Sequence, residues 1–330
     1  MSQTTAPTAA AAPAGSLQHL PVTLFSSVMG IGGLALAWRR AALAWDLPAW
    51  PAQTLFWVAG AVFVVLAVLY AVKWARHTPA ALAEARHPIR MTFTPAITIS
   101  LLILATAGQD LLPTVARVAW WAGAVGNLVL TLLVVTAWVG RADITLTTMT
   151  PAWFIPIVGN IVTPLAAPSV GSEELAWFSF GVGVVFWVGL FPLVLQRVLL
   201  HETEVPRKLL PTLAIFLAPP AVGLLSWEAL TGRADDAVAR VLLAAALMFT
   251  ALLAAQVGRL RTIAFALPYW AYSFPLAAVT AATIAVAHAR DVLVYDVVGA
   301  VLLAVTTVLV AVVSALTVRA LVRGQVLVPE

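Results

Sequence analysis

Residue types that commonly carry out chemistry are few and scattered in this 330-residue sequence. It contains no cysteine, which excludes disulfides, thiolate metal sites and thiol nucleophiles. The histidines are His19, His77, His87, His201 and His288, and no two of them stand at a metal-ligand spacing. No nucleophile can be matched with a base and an orienting acid. We therefore expect no catalytic site, no bound metal and no cofactor.

Two glycine-rich stretches, GIGG at 30–33 and GVGVVFWVG at 181–189, resemble phosphate-binding loops only superficially. Such a loop needs a preceding strand and a following lysine, and neither stretch has them. Glycine also lets helices approach closely in lipid. We therefore expect these glycines to serve helix packing.

The composition indicates a membrane protein. Hydrophobic residues make up 62% of the chain, charged residues make up 10%, and the mean hydropathy is +1.00. Soluble domains carry about 25% charged residues. The pI near 10.0 does not indicate a nucleic-acid partner, because the basic residues lie in loops between apolar runs. The expected surroundings are a lipid bilayer.

The chain contains ten apolar segments, each close to the roughly 20 residues that a membrane-spanning helix needs. They are 20–38, 53–72, 91–108, 114–139, 151–171, 174–196, 208–227, 239–258, 262–287 and 292–318. The predicted fold is all-α and integral to the membrane. A ten-helix domain at 19–323 lies between a disordered N-terminal tail at 1–18 and a short C-terminal tail at 324–330.

The basic residues between the segments predict the orientation of the helices. With ten helices, 12 of the 18 lysines and arginines fall on the side that holds both termini. Basic residues concentrate in cytoplasmic loops. We therefore expect a multi-pass protein of the plasma (inner) membrane with both termini in the cytoplasm.

The prolines divide the segments into two groups. Within the even-numbered segments only Pro192 occurs, whereas the odd-numbered segments begin with or contain Pro21, Pro95, Pro151, Pro156, Pro164, Pro168, Pro211, Pro219, Pro220, Pro268 and Pro275. A proline inside a helix frees a backbone carbonyl, which is costly in lipid. This predicts five kinked inner helices and five outer helices, arranged as five helical hairpins. The alternative is that the prolines are merely tolerated.

Formal charges are absent from the middle of every segment. Arg117, Arg240 and Asp296 lie near segment ends. A proton-coupled carrier would hold a buried acidic or histidine relay, and a cation path would need carboxylates. An anion can pass hydroxyls, backbone dipoles and helix N-termini. The pattern favours a neutral path that binds anions weakly.

Three stretches resemble the tellurite-resistance/dicarboxylate transporter family, which includes plant slow anion channels. They are HLPVTLFSSVMGIGGLALAW at 19–38, PIVGNIVTPLAAPSVG at 156–171 and WAYSFPLAA at 270–278. The resemblance implies five helical hairpins, odd-numbered helices lining a pore, and a homotrimer.

The resemblance also implies a phenylalanine that plugs the pore on the ninth helix. The matching residue is Phe274, followed by Pro275, and Phe265 is the alternative. We expect Phe274 near the middle of the segment and a bend at Pro275. The further candidates for lining the pore are Phe25, Phe93, Phe154, Asn160, Pro164 and Phe216, although core packing accounts for the phenylalanines equally well.

Three functions remain open at this point. The first is a channel for small anions such as chloride or nitrate, and this is the function we predict. The second is a secondary transporter of dicarboxylate, sulfite or tellurite oxyanions. A membrane scaffold that transports nothing is the third, and broken central helices disfavour it.

Overall fold

The computed structural model describes residues 16–200 and 207–328, and the predicted tail residues 1–15 and 329–330 lie outside it. His201 and the rest of the 201–206 loop also lie outside the described residues. Within the described part, ten helices are long and apolar enough to cross a membrane. Spans 1–10 are Val22–Trp45, Trp50–Arg76, Arg90–Gly108, Pro113–Gly140, Pro151–Val170, Glu173–Leu200, Arg207–Thr231, Ala237–Ala255, Leu267–Arg290 and Leu293–Val322. The prediction of an all-α fold with ten membrane-length helices is confirmed.

Burial separates the odd-numbered spans from the even-numbered spans. Between 72% and 83% of the most apolar window of each odd span is buried inside the protein. In the even spans the buried share is only 17% to 28%. Exposed valine and leucine side chains cover the even spans, as a lipid-facing surface requires. We call the odd spans the inner spans, and their burial agrees with the division made by the prolines.

The inner spans form a closed ring. Span 1 packs on spans 3 and 9, span 5 packs on spans 3 and 7, and span 7 also packs on span 9. Each even span packs on the inner span before it and also on the inner span after it, and span 10 in this way returns to span 1. Each inner span and the outer span after it form a helical hairpin. The five hairpins stand side by side, so that the inner spans surround a central axis.

Every inner span begins with a 3-10 segment and then continues as an α-helix, which in span 5 is interrupted again by the 3-10 turn Thr163–Ala166. In span 1 the turn Val22–Leu24 precedes the helix Phe25–Trp45, and in span 9 the turn Leu267–Tyr272 precedes Ser273–Arg290. The even spans, by contrast, are uninterrupted α-helices. Prolines lie in or within two residues of each of these 3-10 segments, and a proline fits the first turn of a helix. Proline content alone does not explain the difference, because Pro192 lies inside span 6 without interrupting its α-helix.

Two helix ends differ from the sequence prediction. Span 1 continues past residue 38 to Trp45, so Arg39 and Arg40 lie within a helix instead of a loop. Span 9 begins at Leu267 instead of residue 262, because Ala266 is extended and Pro268 occupies the first turn. Phe265 therefore precedes the helix on which it was expected.

A short helix, Thr78–Arg86, connects spans 2 and 3 and was not predicted. It brings Glu84 into contact with Lys73 near the end of span 2, with 2.6 Å between Lys73 Nζ and Glu84 Oε2. The second carboxylate oxygen of Glu84 accepts a hydrogen bond from the backbone amide of Val22. This buried ion pair thus ties the first residue of span 1 to the end of span 2.

Candidate functional site: the axis between the inner spans

A cavity of about 50 Å³ lies on the axis, and all five inner spans line it. We call it the inner cavity. Its lining residues are Ser26, Met29, Phe93, Ile99, Ile155, Val158, Gly159, Val162, Ile215, Ala218, Trp270, Ala271, Phe274 and Pro275. None of these residues carries a formal charge. The space is enough for a few water molecules only, since each needs about 10–15 Å³.

Phe274 lines the inner cavity and is 7% exposed. It is the second residue of the α-helical part of span 9, seven residues after Leu267 and sixteen before Arg290. It therefore lies about four to five residues before the middle of the span, whereas we had expected it at the middle. The later start of span 9 is the reason for this difference.

Pro275 also lines the inner cavity, and the bend expected there stays a prediction. The residue lies in the first turn of the α-helix Ser273–Arg290, directly after the 3-10 turn. Amides in the first turn of an α-helix have no α-helical partner in any case. Pro275 thus lies, beside Phe274, at the junction between the 3-10 turn and the α-helix.

Glycines on span 1 allow span 9 to come this close. A β-carbon on Gly30 would collide with the side chain of Ser273 and the ring of Trp270. A β-carbon on Gly33 would lie 3.0 Å from Cδ2 of Phe274. The GIGG stretch is therefore a packing surface for the segment that carries Phe274, in agreement with the packing role expected for it.

The other phenylalanine candidates lie in four different surroundings. Phe93 lines the inner cavity. Phe25 packs against Phe63 and Tyr70 of span 2, with ring centroids 5.9 Å away in both cases. Phe25 therefore points away from the axis and towards the outer layer.

Phe154 and Phe216 pack against each other at 5.4 Å between ring centroids. Phe216 also stacks on Phe249 of span 8 and touches Phe191 of span 6. Neither Phe154 nor Phe216 lines the inner cavity, and their contacts are those of a packed core. Phe265 precedes span 9, does not line the inner cavity and packs on Tyr269, with 5.5 Å between ring centroids.

Asn160 and Pro164 lie in span 5 and also do not line the inner cavity. Asn160 donates a hydrogen bond from Nδ2 to Thr131 Oγ1 of span 4, at 2.8 Å. Pro164 lies in the 3-10 turn Thr163–Ala166, where the carbonyl of Thr163 accepts a hydrogen bond from the indole of Trp120. Side chains of the outer spans thus stabilise the irregular backbone, as non-helical structure within a membrane requires.

A second, wider space of about 370 Å³ lies towards the C-terminal ends of the inner spans, and all five of them line it. We call it the vestibule. Its lining residues are Leu36, Arg39, Arg40, Leu43, Thr106, Gln109, Leu165, Pro168, Ser169, Leu225, Glu228, Ala229, Gly232 and Ala281. Ala281 follows Phe274 by seven residues of α-helix, which corresponds to about 10 Å along the axis.

Two ion pairs stand at the vestibule. Arg40 donates two hydrogen bonds to Glu228, from Nη1 to Oε1 at 2.9 Å and from Nη2 to Oε2 at 2.7 Å. Arg39 pairs with Asp110 at 2.5 Å. The sequence interpretation missed these residues, because it ended span 1 before both arginines. Glu228 falls just beyond the predicted end of its segment at 227.

The end of span 7 is held in place beside the vestibule. Trp227 donates a hydrogen bond from its indole to Asp236, at 2.8 Å. Asp236 also caps the first helix turn of span 8 by accepting from the amide of Ala239. These bonds, the Ala239 amide first, hold the pKa of the Asp236 carboxyl below its ordinary value. The backbone that carries Glu228 is therefore well anchored.

The ring of inner spans, the outer layer and the two axial spaces define a membrane protein of ten spans with a central axis. Its sequence matches the family model described as SLAC1, voltage-dependent anion channel, over residues 19–318. The chain belongs to this family, and the resemblance seen in the sequence is thereby confirmed.

Several characterised and uncharacterised proteins are similar to the chain. The S-type anion channel SLAH3 of Arabidopsis thaliana is 29% identical over 275 residues, which is 81% of this chain and 43% of the plant protein. The tellurite resistance protein TehA homolog of Haemophilus influenzae is 26% identical over 225 residues, 68% of each protein. An uncharacterized transporter of Methanocaldococcus jannaschii, MJ0762, is 26% identical over 225 residues, 64% of this chain and 65% of that protein. The chain thus spans less than half of the plant channel.

Proposed function

We propose that this chain is an anion channel of the slow-anion-channel type that conducts small anions such as chloride and nitrate along the central axis. Membership of the SLAC1 family and the similarity to plant anion channels support anion transport. The observation that carries the proposal is the inner cavity, an uncharged and narrow space to which all five inner spans contribute. We propose it as the narrowest part of the conduction path.

Phe274 is the gate in this proposal. Its ring lines the inner cavity, where an apolar group excludes water from a narrow passage. An anion that loses its hydration without gaining hydrogen bonds faces a large barrier. Moving or removing the ring would let water, and with it an anion, pass to the vestibule.

The charge at the end where the inner spans begin suits an anion path. The inner spans begin at the end that holds the basic loops, so the positive ends of their helix dipoles and those loops lie on the same side. Basic loops raise the local concentration of anions. We propose that this side faces the cytoplasm, that the membrane is the plasma membrane, and that the assembled protein is a homotrimer.

The proposal is tested by reconstituting the purified chain in liposomes and measuring reversal potentials in asymmetric chloride salts. We expect the reversal potential to follow the chloride gradient. A reversal at the cation potential would refute anion conduction. A reversal that shifts with a proton gradient would instead favour the second candidate, a coupled exporter of oxyanions, which the similarity to the TehA homolog supports.

A further inference from the structure

The paired charges of Arg40 and Glu228 face the vestibule through which a conducted anion would leave or enter. The guanidinium and the carboxylate form two parallel hydrogen bonds, at 2.9 Å and 2.7 Å. This two-pronged geometry is the one that a guanidinium uses for planar oxyanions in general. The carboxylate of Glu228 therefore occupies the position in which Arg40 would hold a nitrate, a carboxylate or, through one contact, a chloride.

The pair is open to the vestibule and not sealed in a core. The side chain of Arg40 is 32% exposed and that of Glu228 is 21% exposed, and both line the vestibule. Their backbones are fixed, because Arg40 lies inside the helix Phe25–Trp45 and the carbonyl of Glu228 accepts a hydrogen bond from Gly232. Both charged groups are thus accessible from the vestibule while their backbones stay fixed.

The vestibule also needs a positive group if anions are to pass through it. The C-terminal ends of the five inner spans meet there, and the C-terminal end of a helix carries about half a negative charge. Such a field repels anions at the end of the path opposite the basic loops. Arg39 and Arg40 are the two basic residues among the vestibule's lining residues.

We propose that Arg40 is an anion-binding site in the vestibule and that Glu228 is a built-in competitor for it. A conducted anion displaces the carboxylate from the guanidinium, and the carboxylate returns when the anion leaves. The competition weakens anion binding, which suits conduction, because an ion bound too tightly does not leave. This inference rests on the proposed anion conduction for its purpose, although binding at Arg40 can be measured without it.

The two single neutralisations should have opposite effects, and this separates the proposal from a purely structural ion pair. Conductance is measured as a function of chloride concentration in channels that also carry Phe274→Ala. Glu228→Gln removes the competitor, so the half-saturating chloride concentration should fall about threefold, the strength typical of a partly exposed ion pair. Arg40→Gln removes the site, so the half-saturating concentration should rise at least as much.

The matched control is Asp235→Asn, which removes one negative charge from an exposed position in the loop after span 7. It should leave the half-saturating concentration nearly unchanged. A shift equal to that of Glu228→Gln would assign the effect to bulk surface charge and overturn the proposal. Shifts of Arg40→Gln and Glu228→Gln in the same direction would also overturn it, because both variants break the same structural contact.

Binding is tested separately in crystals of the Glu228→Gln protein soaked in sodium bromide. We expect an anomalous bromide peak within hydrogen-bonding distance of the Arg40 guanidinium, and no peak there when Arg40→Gln is added. If crystals of the Glu228→Gln protein show no bromide peak beside the Arg40 guanidinium, the proposed site is wrong. If the peak is present but the channels pass no anion current, the site stands and the proposed function fails.

Discussion

The ring of Phe274 on span 9 rests on Gly33 of span 1, so closely that a β-carbon at Gly33 would lie 3.0 Å from Phe274 Cδ2 and 3.3 Å from the β-carbon of Ala277. Contacts between β-carbons and other atoms are rarely this short in proteins. Span 1 thus offers bare backbone where the proposed gate packs. The position of the ring depends on the glycines of span 1 as well as on Pro275 beside it.

The packing of span 9 on span 1 predicts a strong effect of Gly30→Ala. The added methyl group would overlap the side chain of Ser273 and approach Cε3 of Trp270 to 2.8 Å. Overpacking of this kind costs about 1–3 kcal/mol. We expect a lower melting temperature in detergent and an altered conductance, because Trp270 also lines the inner cavity.

Gly60→Ala is the matched control for that substitution. A β-carbon at Gly60 meets no atom within 4 Å, and the residue lies in the outer span 2. Alanine is a better helix former than glycine by about 1 kcal/mol. The Gly60→Ala protein should therefore melt no lower than wild type. Equal melting temperatures for Gly30→Ala and Gly60→Ala would contradict the packing of span 9 on span 1.

The buried ion pair between Lys73 and Glu84 predicts a large loss of stability on Glu84→Gln. The glutamine oxygen can still accept the amide of Val22, but Lys73 keeps a buried charge without its partner. Removing one member of a buried pair costs roughly 3–5 kcal/mol. We expect thermal unfolding in detergent several degrees below that of wild type.

Asp143→Asn provides the comparison, because it breaks the exposed pair between Arg141 and Asp143. There the hydrogen bond from Arg141 lowers the pKa of the Asp143 carboxyl, but water screens the charges. This variant should unfold at the temperature of wild type. If Glu84→Gln and Asp143→Asn unfold alike, the Lys73–Glu84 pair does not hold the beginning of span 1.

The predicted orientation can be tested with single cysteines, since the natural chain has none. Ala83 is exposed on the helix between spans 2 and 3, and Arg233 is exposed in the loop after span 7. In intact cells a membrane-impermeant thiol reagent should label Arg233→Cys and should leave Ala83→Cys unlabelled. Both should react after solubilisation in detergent. Labelling of both in intact cells would refute the arrangement of the ten spans.

The sequence was sufficient to predict the layers of this fold. Ten apolar runs give ten spans, and the difference between the proline-rich run 151–171 and the plain run 53–72 corresponds to an inner and an outer helix. The physical reason is general, because a broken backbone needs hydrogen bonds that lipid does not offer. Composition therefore carries information about which helices face lipid.

The sequence was not sufficient to predict the ends of the spans or the contacts across the axis. Arg40 and Glu228 are 188 positions apart, and nothing in their local patterns pairs them. Hydropathy also placed Arg40 outside its helix, because a charge lowers the local average even where the helix continues. The residue type alone does not say which way a phenylalanine side chain points from its helix. The packed Phe216 and the cavity-lining Phe93 could therefore not be distinguished from the sequence.

The central claim is that anions pass along the axis of the inner spans and that Phe274 blocks them. The most direct test is the anion conductance of reconstituted Phe274→Ala protein, compared with wild type, Phe93→Ala and Phe265→Ala. We expect Phe274→Ala to elute as the wild-type oligomer and to conduct chloride far more strongly, with its reversal potential still set by the chloride gradient. Phe265→Ala should conduct like wild type, because Phe265 precedes span 9 and does not line the inner cavity. A normally assembled Phe274→Ala protein that conducts no more than wild type would contradict the account, and strong conduction by Phe93→Ala alone would place the gate on span 3.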